Sequence, residues 1–237
     1  MVTGEFMVIV ISLGGSIVAP SNPDVDFIVK FATYIKEYLK EDKKRQVILT
    51  IGGGGLARSY INAYKDVMKE TSSNVESFSG DMIGIMATRL NAELVKSVFA
   101  TLCPNPVVYD PTIIESFEGR VLVAAGWKPG FSTDTDAVIL AERFKSEIVI
   151  NLSNITKVYT KDPKEDPTAT PIDEISWDNF IKMIGTEWIP GKNVPFDPIA
   201  SQKAQKAKIK VICANGRDIE NLKNILEGKS FIGTTIG

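Results

Sequence analysis

The stretch Gln46-Val-Ile-Leu-Thr-Ile-Gly-Gly-Gly-Gly55, running on into Leu56-Ala-Arg58, decides the fold. A short apolar run that stops at glycine reads as a strand buried on both faces. Four glycines then make a tight turn, and a helix is expected from about Leu56 to Glu70. A buried strand feeding a helix is the repeating unit of a parallel sheet. The same unit stands upstream. Met7-Val-Ile-Val-Ile-Ser-Leu13 ends at Gly14-Gly15, and Val25–Leu39 follows with Phe27, Ile28, Phe31, Ile35 and Leu39 at helical spacing.

Downstream the alternation continues. Ser79 is expected to cap a long helix to about Ala100, with Met82, Ile85, Met86, Leu90 and Leu94 as its core stripe, and Pro104-Asn105-Pro106 stops it. Val107–Tyr109 and Arg120–Ala124 are strand candidates, Thr133–Phe144 a helix and Glu147–Leu152 a strand. Ile155–Pro171 reads as loops or hairpins, and Ser176–Ile184 as a short helix. The segments 198–207, 209–214 and 219–226 read as helix, strand and helix, and 231–236 as a last strand. The expected architecture is α/β: a mostly parallel central sheet with helices on both faces. No Ser/Gly linker divides the chain, so residues 1–237 are expected to form one domain of two lobes, with 153–196 as surface loop in the second.

Composition narrows the chemistry. The 237 residues include no histidine, which excludes a His-based nucleophile pair, imidazole acid–base catalysis and any His-containing zinc site. Cys103 and Cys213 are too few for a disulfide scaffold or a Cys-only zinc site, and they read as apolar residues of a reducing cytoplasm. Lys plus Arg total 27 against 29 Asp plus Glu, a net charge of −2 that suits no general nucleic-acid binder. No apolar run approaches the ~20 residues of a membrane span, and Met7–Leu13 lacks the basic flank and cleavage pattern of a signal peptide.

Ligands of open α/β sheets bind at the carboxyl ends of strands, and three such ends carry conspicuous turns. Gly14-Gly15-Ser16 and Gly52–Gly55 would let backbone N–H groups approach an anion, with a helix N-terminus behind them. Arg58, one turn into its helix, leans back toward the same place. Neither turn is a Walker loop or a dinucleotide fingerprint. The third turn, Gly126-Trp-Lys-Pro-Gly-Phe-Ser-Thr-Asp-Thr-Asp136, crowds Lys128, two glycines, hydroxyls and carboxylates together. Capping by Ser132 or Thr133, with Asp134 and Asp136 in the first turn, is the competing reading. Asp81, with Thr88 seven residues on along the same face, and Asp197, N-cap before Pro198, carry the same two readings.

Taken in order, Ser12-Leu-Gly-Gly-Ser16, Gly52–Gly55 with Arg58, Asp81-Met-Ile-Gly-Ile-Met-Ala-Thr-Arg-Leu-Asn-Ala92, Pro129–Ala137, Ser153–Pro163, Phe196–Ala200 and Gly233-Thr-Thr-Ile236 resemble the amino acid kinase family, and within it the archaeal type of uridylate (UMP) kinase. The resemblance covers nearly the whole chain. It implies a three-layer α/β/α fold, an acceptor lobe over roughly 1–145 and an ATP lobe over roughly 146–237. It implies transfer of the γ-phosphoryl group of ATP to UMP with Mg²⁺, in a cytoplasmic enzyme of pyrimidine nucleotide biosynthesis that is commonly a homohexamer.

Residue by residue, the resemblance puts Gly53, Arg58 and Asp81 at the acceptor, with Arg58 on a phosphate and Asp81 on the ribose hydroxyls. Trp127, Lys128, Pro129, Gly130, Phe131, Ser132 and Thr133 match the segment closing on uracil and its phosphate. Gly15, Ser16 and Gly54 match phosphate-facing turns, shared with Arg58. Ser153, Asn154, Tyr159 and Asp162 match the ATP pocket, with Tyr159 against adenine. Asp136 and Asp197 match acidic positions near the transfer centre, organising Mg²⁺ or neighbouring donors. No dedicated protein metal site is expected.

This sequence departs from the family pattern twice. Ser12 stands where many relatives carry lysine, which makes Lys128 the candidate cation. Thr133-Asp-Thr-Asp136 is longer than the expected Thr-Thr-Asp, which leaves open whether Asp134 or Asp136 corresponds. Another small acceptor on the same fold, or a non-catalytic nucleotide or oxyanion binder, are the competing functions. Phosphoryl transfer itself asks for in-line positioning and charge neutralisation, which amides, Arg, Lys and Mg²⁺ supply without histidine.

Overall fold

The computed structural model describes residues 6–187 and 194–237; the part of the expected 153–196 loop at 188–193 lies outside the described residues. The elements in chain order are β1 (Met7–Leu13), α1 (Gly15–Val18), α2 (Val25–Glu41), β2 (Arg45–Ile51), α3 (Gly54–Glu70), α4 (Ser77–Phe99), β3 (Val121–Ala124), α5 (Thr133–Arg143), β4 (Ile148–Ser153), β5 (Val158–Tyr159), β6 (Pro171–Ile172), β7 (Glu174–Ile175), α6 (Trp177–Ile184), α7 (Pro198–Ala207), β8 (Lys210–Asn215), α8 (Ile219–Leu226) and β9 (Thr234–Ile236).

Among the described residues one sheet of seven strands runs β3-β2-β1-β4-β8-β9-β7. β3, β2, β1, β4 and β8 are mutually parallel, β9 pairs antiparallel to β8, and β7 follows β9. Ile11 sits level with Leu49 on one side and Ile150 on the other, so the β1, β2 and β4 tips end together. Two cores result from the alternation of side chains across the pleat. Ile11, Leu13, Leu49, Ile51 and Ile150 pack under α2, α4 and α8. Val10, Ile48, Leu122 and Val149 pack under α5, α6 and α7. The expected three-layer α/β/α fold is therefore present, with both faces of the central strands buried.

Caps fix several helix entries. Asp24, Ser132, Ser176, Asp197 and Asp218 each accept a backbone N–H three residues on. Some local expectations shift. α4 begins at Ser77, two residues before the expected Ser79 cap, and Glu76 at its N-cap makes no side-chain cap bond. Val107–Tyr109 reduces to a single bridge, Val108 to Ala124. The 155–171 excursion contains β5, which pairs antiparallel with β6 apart from the main sheet.

The larger correction concerns the face of α4. Of the expected stripe only Ile85 is buried; Met86 and Leu90 are 56% and 62% exposed. The inward face is instead Ile85, Ala87, Thr88, Asn91, Ala92, Val95 and Phe99. α4 packs against β2 and β3, and small or polar side chains permit that close approach where methionine and leucine would not fit.

Candidate functional site

The parallel strands deliver Gly14, Gly52, Ala125-Gly126, Asn154 and Gly216 to one edge of the sheet. The first two turns meet backbone to backbone. A methyl group on Gly15 would stand 2.0 Å from the Gly54 nitrogen, and one on Gly52 would stand 2.4 Å from the Gly15 nitrogen. Gly54 also takes φ +64°, with Ala19 and Gly15 carbonyl oxygens 2.2 and 2.3 Å from where its Cβ would be. Only glycine satisfies both constraints. Gly55 N–H donates to the Ala19 carbonyl and Gly14 N–H to Leu152, which tie the corner to α1 and β4. Asn91, reaching in from α4, donates to the Gly52 and Gly53 carbonyls at 2.9 and 3.1 Å. The N-terminal turn of α3 leaves amides that the helix cannot satisfy. Arg58, exposed on α3, donates to the Pro20 carbonyl at 3.0 Å.

Beside this corner lies a cleft of about 240 Å³, lined among others by Gly53, Asp81, Thr88, Gly130, Phe131, Ser132 and Thr133. Its wall is the turn after β3, and α4 fastens that turn. The Thr88 hydroxyl accepts from Gly126 N–H at 2.8 Å, and an Asp81 carboxylate oxygen accepts from Gly130 N–H at 2.9 Å. Arg89 donates to the Trp127 carbonyl at 3.2 Å. Trp127 and Phe131 stand ring to ring at 4.9 Å, and the exposed Lys128 ammonium lies 3.7 and 4.9 Å from their centroids.

The acidic residues divide by environment. Ser12 hydroxyl donates to Asp134 at 2.9 Å, and Asp197 N–H reaches the other Asp134 oxygen at 3.3 Å. Asp197 itself accepts from Ala200 N–H and the Thr135 hydroxyl. Burial, helped by the neighbouring Asp197 charge, pushes Asp134 up to about 6, against the pull of the Ser12 and Asp197 donors. Asp136 is 0% exposed. One of its oxygens accepts from Trp127 N–H at 3.2 Å and the other is buried without a partner. Burial pushes it up to about 7, with the nearby Asp134, Asp110 and Asp197 charges adding to the shift. Across the edge, Ser153 ends β4 and its carbonyl accepts from Gly216 N–H. Asn154 is exposed and Tyr159 half-buried. Asp162, exposed, accepts from Lys164 N–H within its own loop.

The structure thus gathers Gly53, Asp81, Gly130, Phe131, Ser132 and Thr133 into one cleft, with Gly15, Gly54 and Arg58 at the adjoining corner. Trp127, Lys128 and Pro129 belong to the same turn but do not line the cleft. Tyr159 lies on the separate β5–β6 pair. Ser12, Arg89 and Asn91 went unremarked as site residues in the sequence. Of the three only Asn91 left a trace in the sequence: it shares one helical face with positions 81, 84, 85, 88, 92 and 95, and that face is polar or small where it meets the glycine turns.

The model for the amino acid kinase family matches residues 7–215. A uridylate kinase of Thermoplasma volcanium is 36% identical over 234 residues, covering 96% of each chain. One from Methanospirillum hungatei is 33% identical, covering 96% of this chain and 94% of its own. Among solved structures, the uridylate kinase of Archaeoglobus fulgidus superposes with a TM-score of 0.79 at 33% identity, covering 98% of this chain and all of that one. The UMP kinase of Ureaplasma parvum, at 22% identity and a TM-score of 0.74, shares the fold.

Proposed function

The chain belongs to the amino acid kinase family, and from that premise we propose that it works as an ATP-dependent UMP kinase, moving the γ-phosphoryl group of ATP onto UMP to give UDP and ADP. One observation carries the assignment of sites. A cleft with Asp81 on one side and the Gly126–Thr133 turn on the other opens directly onto the interlocked glycine corner. UMP occupies the cleft, within the 1–145 half. Asp81 accepts its ribose hydroxyls, the turn closes on uracil, and Arg58 covers its phosphate. ATP comes from the 146–237 side, past Ser153, Asn154, Asp162 and Tyr159, with Tyr159 against adenine.

The transfer centre is then the corner itself. Amides of Gly15, Ser16, Gly53 and Gly54 supply fixed donors to the phosphoryl oxygens. Lys128, exposed and resting on the Trp127 and Phe131 ring faces, is the cation that reaches the acceptor phosphate. Of the two candidate carboxylates, Asp134 with Asp197 serves the centre, because Asp136 is sealed and occupied in holding Trp127. Among the described residues no cluster of three or more acidic side chains could hold a metal ion. Mg²⁺ is normally bound through one or two carboxylates plus substrate phosphates. Asp134 and Asp197, neighbouring acidic residues joined by the Asp197 N–H to Asp134 hydrogen bond, are the residues that would hold it. When bound it neutralises phosphate charge.

On the same reading the enzyme is cytoplasmic and homohexameric. No helix among the described residues is long and apolar enough to cross a membrane. Met86, Leu90 and Leu94 on α4, and Tyr60 and Val67 on α3, are exposed apolar side chains of two packed helices, which a second copy could cover. The decisive experiment is a coupled ADP-release assay with ATP, Mg²⁺ and either UMP, CMP or buffer. Release driven by UMP is expected. Binding of both nucleotides with no ADP formed would leave a nucleotide binder, and release driven only by a different acceptor would reassign the substrate.

A further inference from the structure

Arg89 stands outside every role assigned above. Its guanidinium donates to the Trp127 carbonyl at 3.2 Å and reaches the Gly126 carbonyl at 3.5 Å. Its far side lies 4.2 Å from the centroid of the Tyr109 ring. Its Nε is buried with no acceptor. An arginine bound this way has been committed to one geometry at a cost, since an unpaired buried donor is unfavourable. The return lies in what it holds. The two carbonyls belong to the start of the turn whose later residues, Gly130, Phe131, Ser132 and Thr133, wall the acceptor cleft.

Three side chains of α4 therefore fasten that turn at three places. Thr88 holds Gly126 N–H, Arg89 holds the Gly126 and Trp127 carbonyls, and Asp81 holds Gly130 N–H. Thr88 and Arg89 grip opposite polarities of the same peptide region, so they fix its rotation as well as its position. Tyr109 follows the Val108–Ala124 bridge, and its ring backs the guanidinium from the neighbouring segment. Asp81 is the exception in this set, because the proposed reaction also asks it to receive the acceptor's ribose.

We propose that Arg89, backed by Tyr109, is a positioning residue for the acceptor: it sets the pitch of the Gly126–Thr133 wall and so the binding of the nucleoside monophosphate, without touching it. The proposal rests on the UMP kinase reading. It separates the two substrates kinetically, because the partners of Arg89 among the described residues, Met86, Gly126, Trp127 and Tyr109, belong to α4, the acceptor turn and the segment beside it. A planar guanidinium that both donates to carbonyls and stacks on a ring is not replaced by lysine.

The test is steady-state kinetics of the full-length enzyme and of Arg89→Gln, Arg89→Lys and Tyr109→Leu, with thermal melts as a fold control. Misplacing a binding wall by an ångström or less is expected to raise KM for UMP roughly 10- to 30-fold in Arg89→Gln. KM for ATP should stay within about twofold of wild type. Arg89→Lys should recover only part of the loss. Tyr109→Leu, at a ring that is 40% exposed, should show the same UMP-selective pattern at about threefold. Equal changes in both KM values, or no change in either, would overturn the proposal. If Arg89→Gln does not fold, Tyr109→Leu alone decides between these outcomes. A wild-type enzyme that releases no ADP with UMP would sink the kinase reading instead, and that arm is read before any variant is compared.

Discussion

Three glycine-containing turns border the proposed site, and they form two regions built by opposite means. At the Gly14-Gly15 and Gly52–Gly55 corner, backbone meets backbone with no room for a methyl group. At Gly126–Thr133 the backbone is held by side chains reaching from α4, and Gly130 has open space around the position of a Cβ. The first arrangement is fixed by steric contact of backbone with backbone; the second by hydrogen bonds of about 1 kcal/mol each, somewhat more where charged. A phosphoryl-transfer centre profits from donors that do not reorganise, whereas an acceptor wall has to admit and release a nucleotide. The contrast suits a rigid corner and an adjustable wall.

The strongest way to break that comparison is Gly54→Ala. The new methyl would meet two carbonyl oxygens at 2.2 and 2.3 Å, in a backbone at φ +64°. Overpacking and left-handed strain together are expected to cost about 3–5 kcal/mol, a fall in Tm of roughly 10 °C, and at least 100-fold in turnover with both substrates affected. A variant that melts and turns over like wild type would show that the corner yields, and the rigid half of the contrast would go.

Next comes Asp81→Ala, which removes one fastening of the wall and the proposed ribose acceptor together. Two charge-assisted hydrogen bonds are at stake, so kcat/KM for UMP is expected to fall about 100-fold with KM for ATP little changed. Loss of ATP affinity in step would place Asp81 in general folding rather than at the acceptor.

The same contrast explains what could be read in the sequence. Strands such as Met7–Leu13 and Gln46–Ile51 announce themselves because both faces are buried, and Asp24 and Asp197 cap helices by local chemistry alone. The glycine corner was visible too, since four consecutive glycines have few other uses. The face of α4 was not. Apolar periodicity favoured Met82, Met86, Leu90 and Leu94, yet close packing against the sheet chose Ala87, Thr88, Asn91 and Ala92. A helix lying between a sheet and another helix has two apolar faces, and periodicity cannot rank them. Arg89 and Asn91 were hidden for the same reason: their partners are backbone carbonyls 38 residues away in sequence. Asp134 and Asp136 differ by burial, which two residues of spacing cannot reveal.

That difference gives a third test, of the stability of the acidic cluster behind the wall. Folding raises Asp136 from 3.8 to about 7 and Asp134 to about 6. Between pH 4 and 7 the folded state therefore holds protons that the unfolded state has released, and stability falls as pH rises through that window. Two shifts of this size correspond to a loss on the order of several kcal/mol. Asp136→Asn keeps an oxygen to accept from Trp127 N–H and removes the charge. Its Tm is expected to exceed wild type at pH 8, with the gap closing toward pH 5. A gap that does not change with pH would show that Asp136 is not a source of the slope.

The smallest expected effect probes the adjustable wall where it is freest. Gly130 has φ +82°, so alanine there pays about 1 kcal/mol of backbone strain but meets no neighbour within 4 Å. Its N–H still reaches Asp81 if the turn keeps its shape. Gly130→Ala is accordingly expected to lower Tm by roughly 2–4 °C and to raise KM for UMP only a few-fold. Set beside Gly54→Ala, the pair isolates one variable, because both glycines have positive φ and only Gly54 is hemmed in by backbone. If the two variants lose activity equally, left-handed conformation rather than close packing is what both turns require, and the distinction between a fixed corner and a fastened wall disappears.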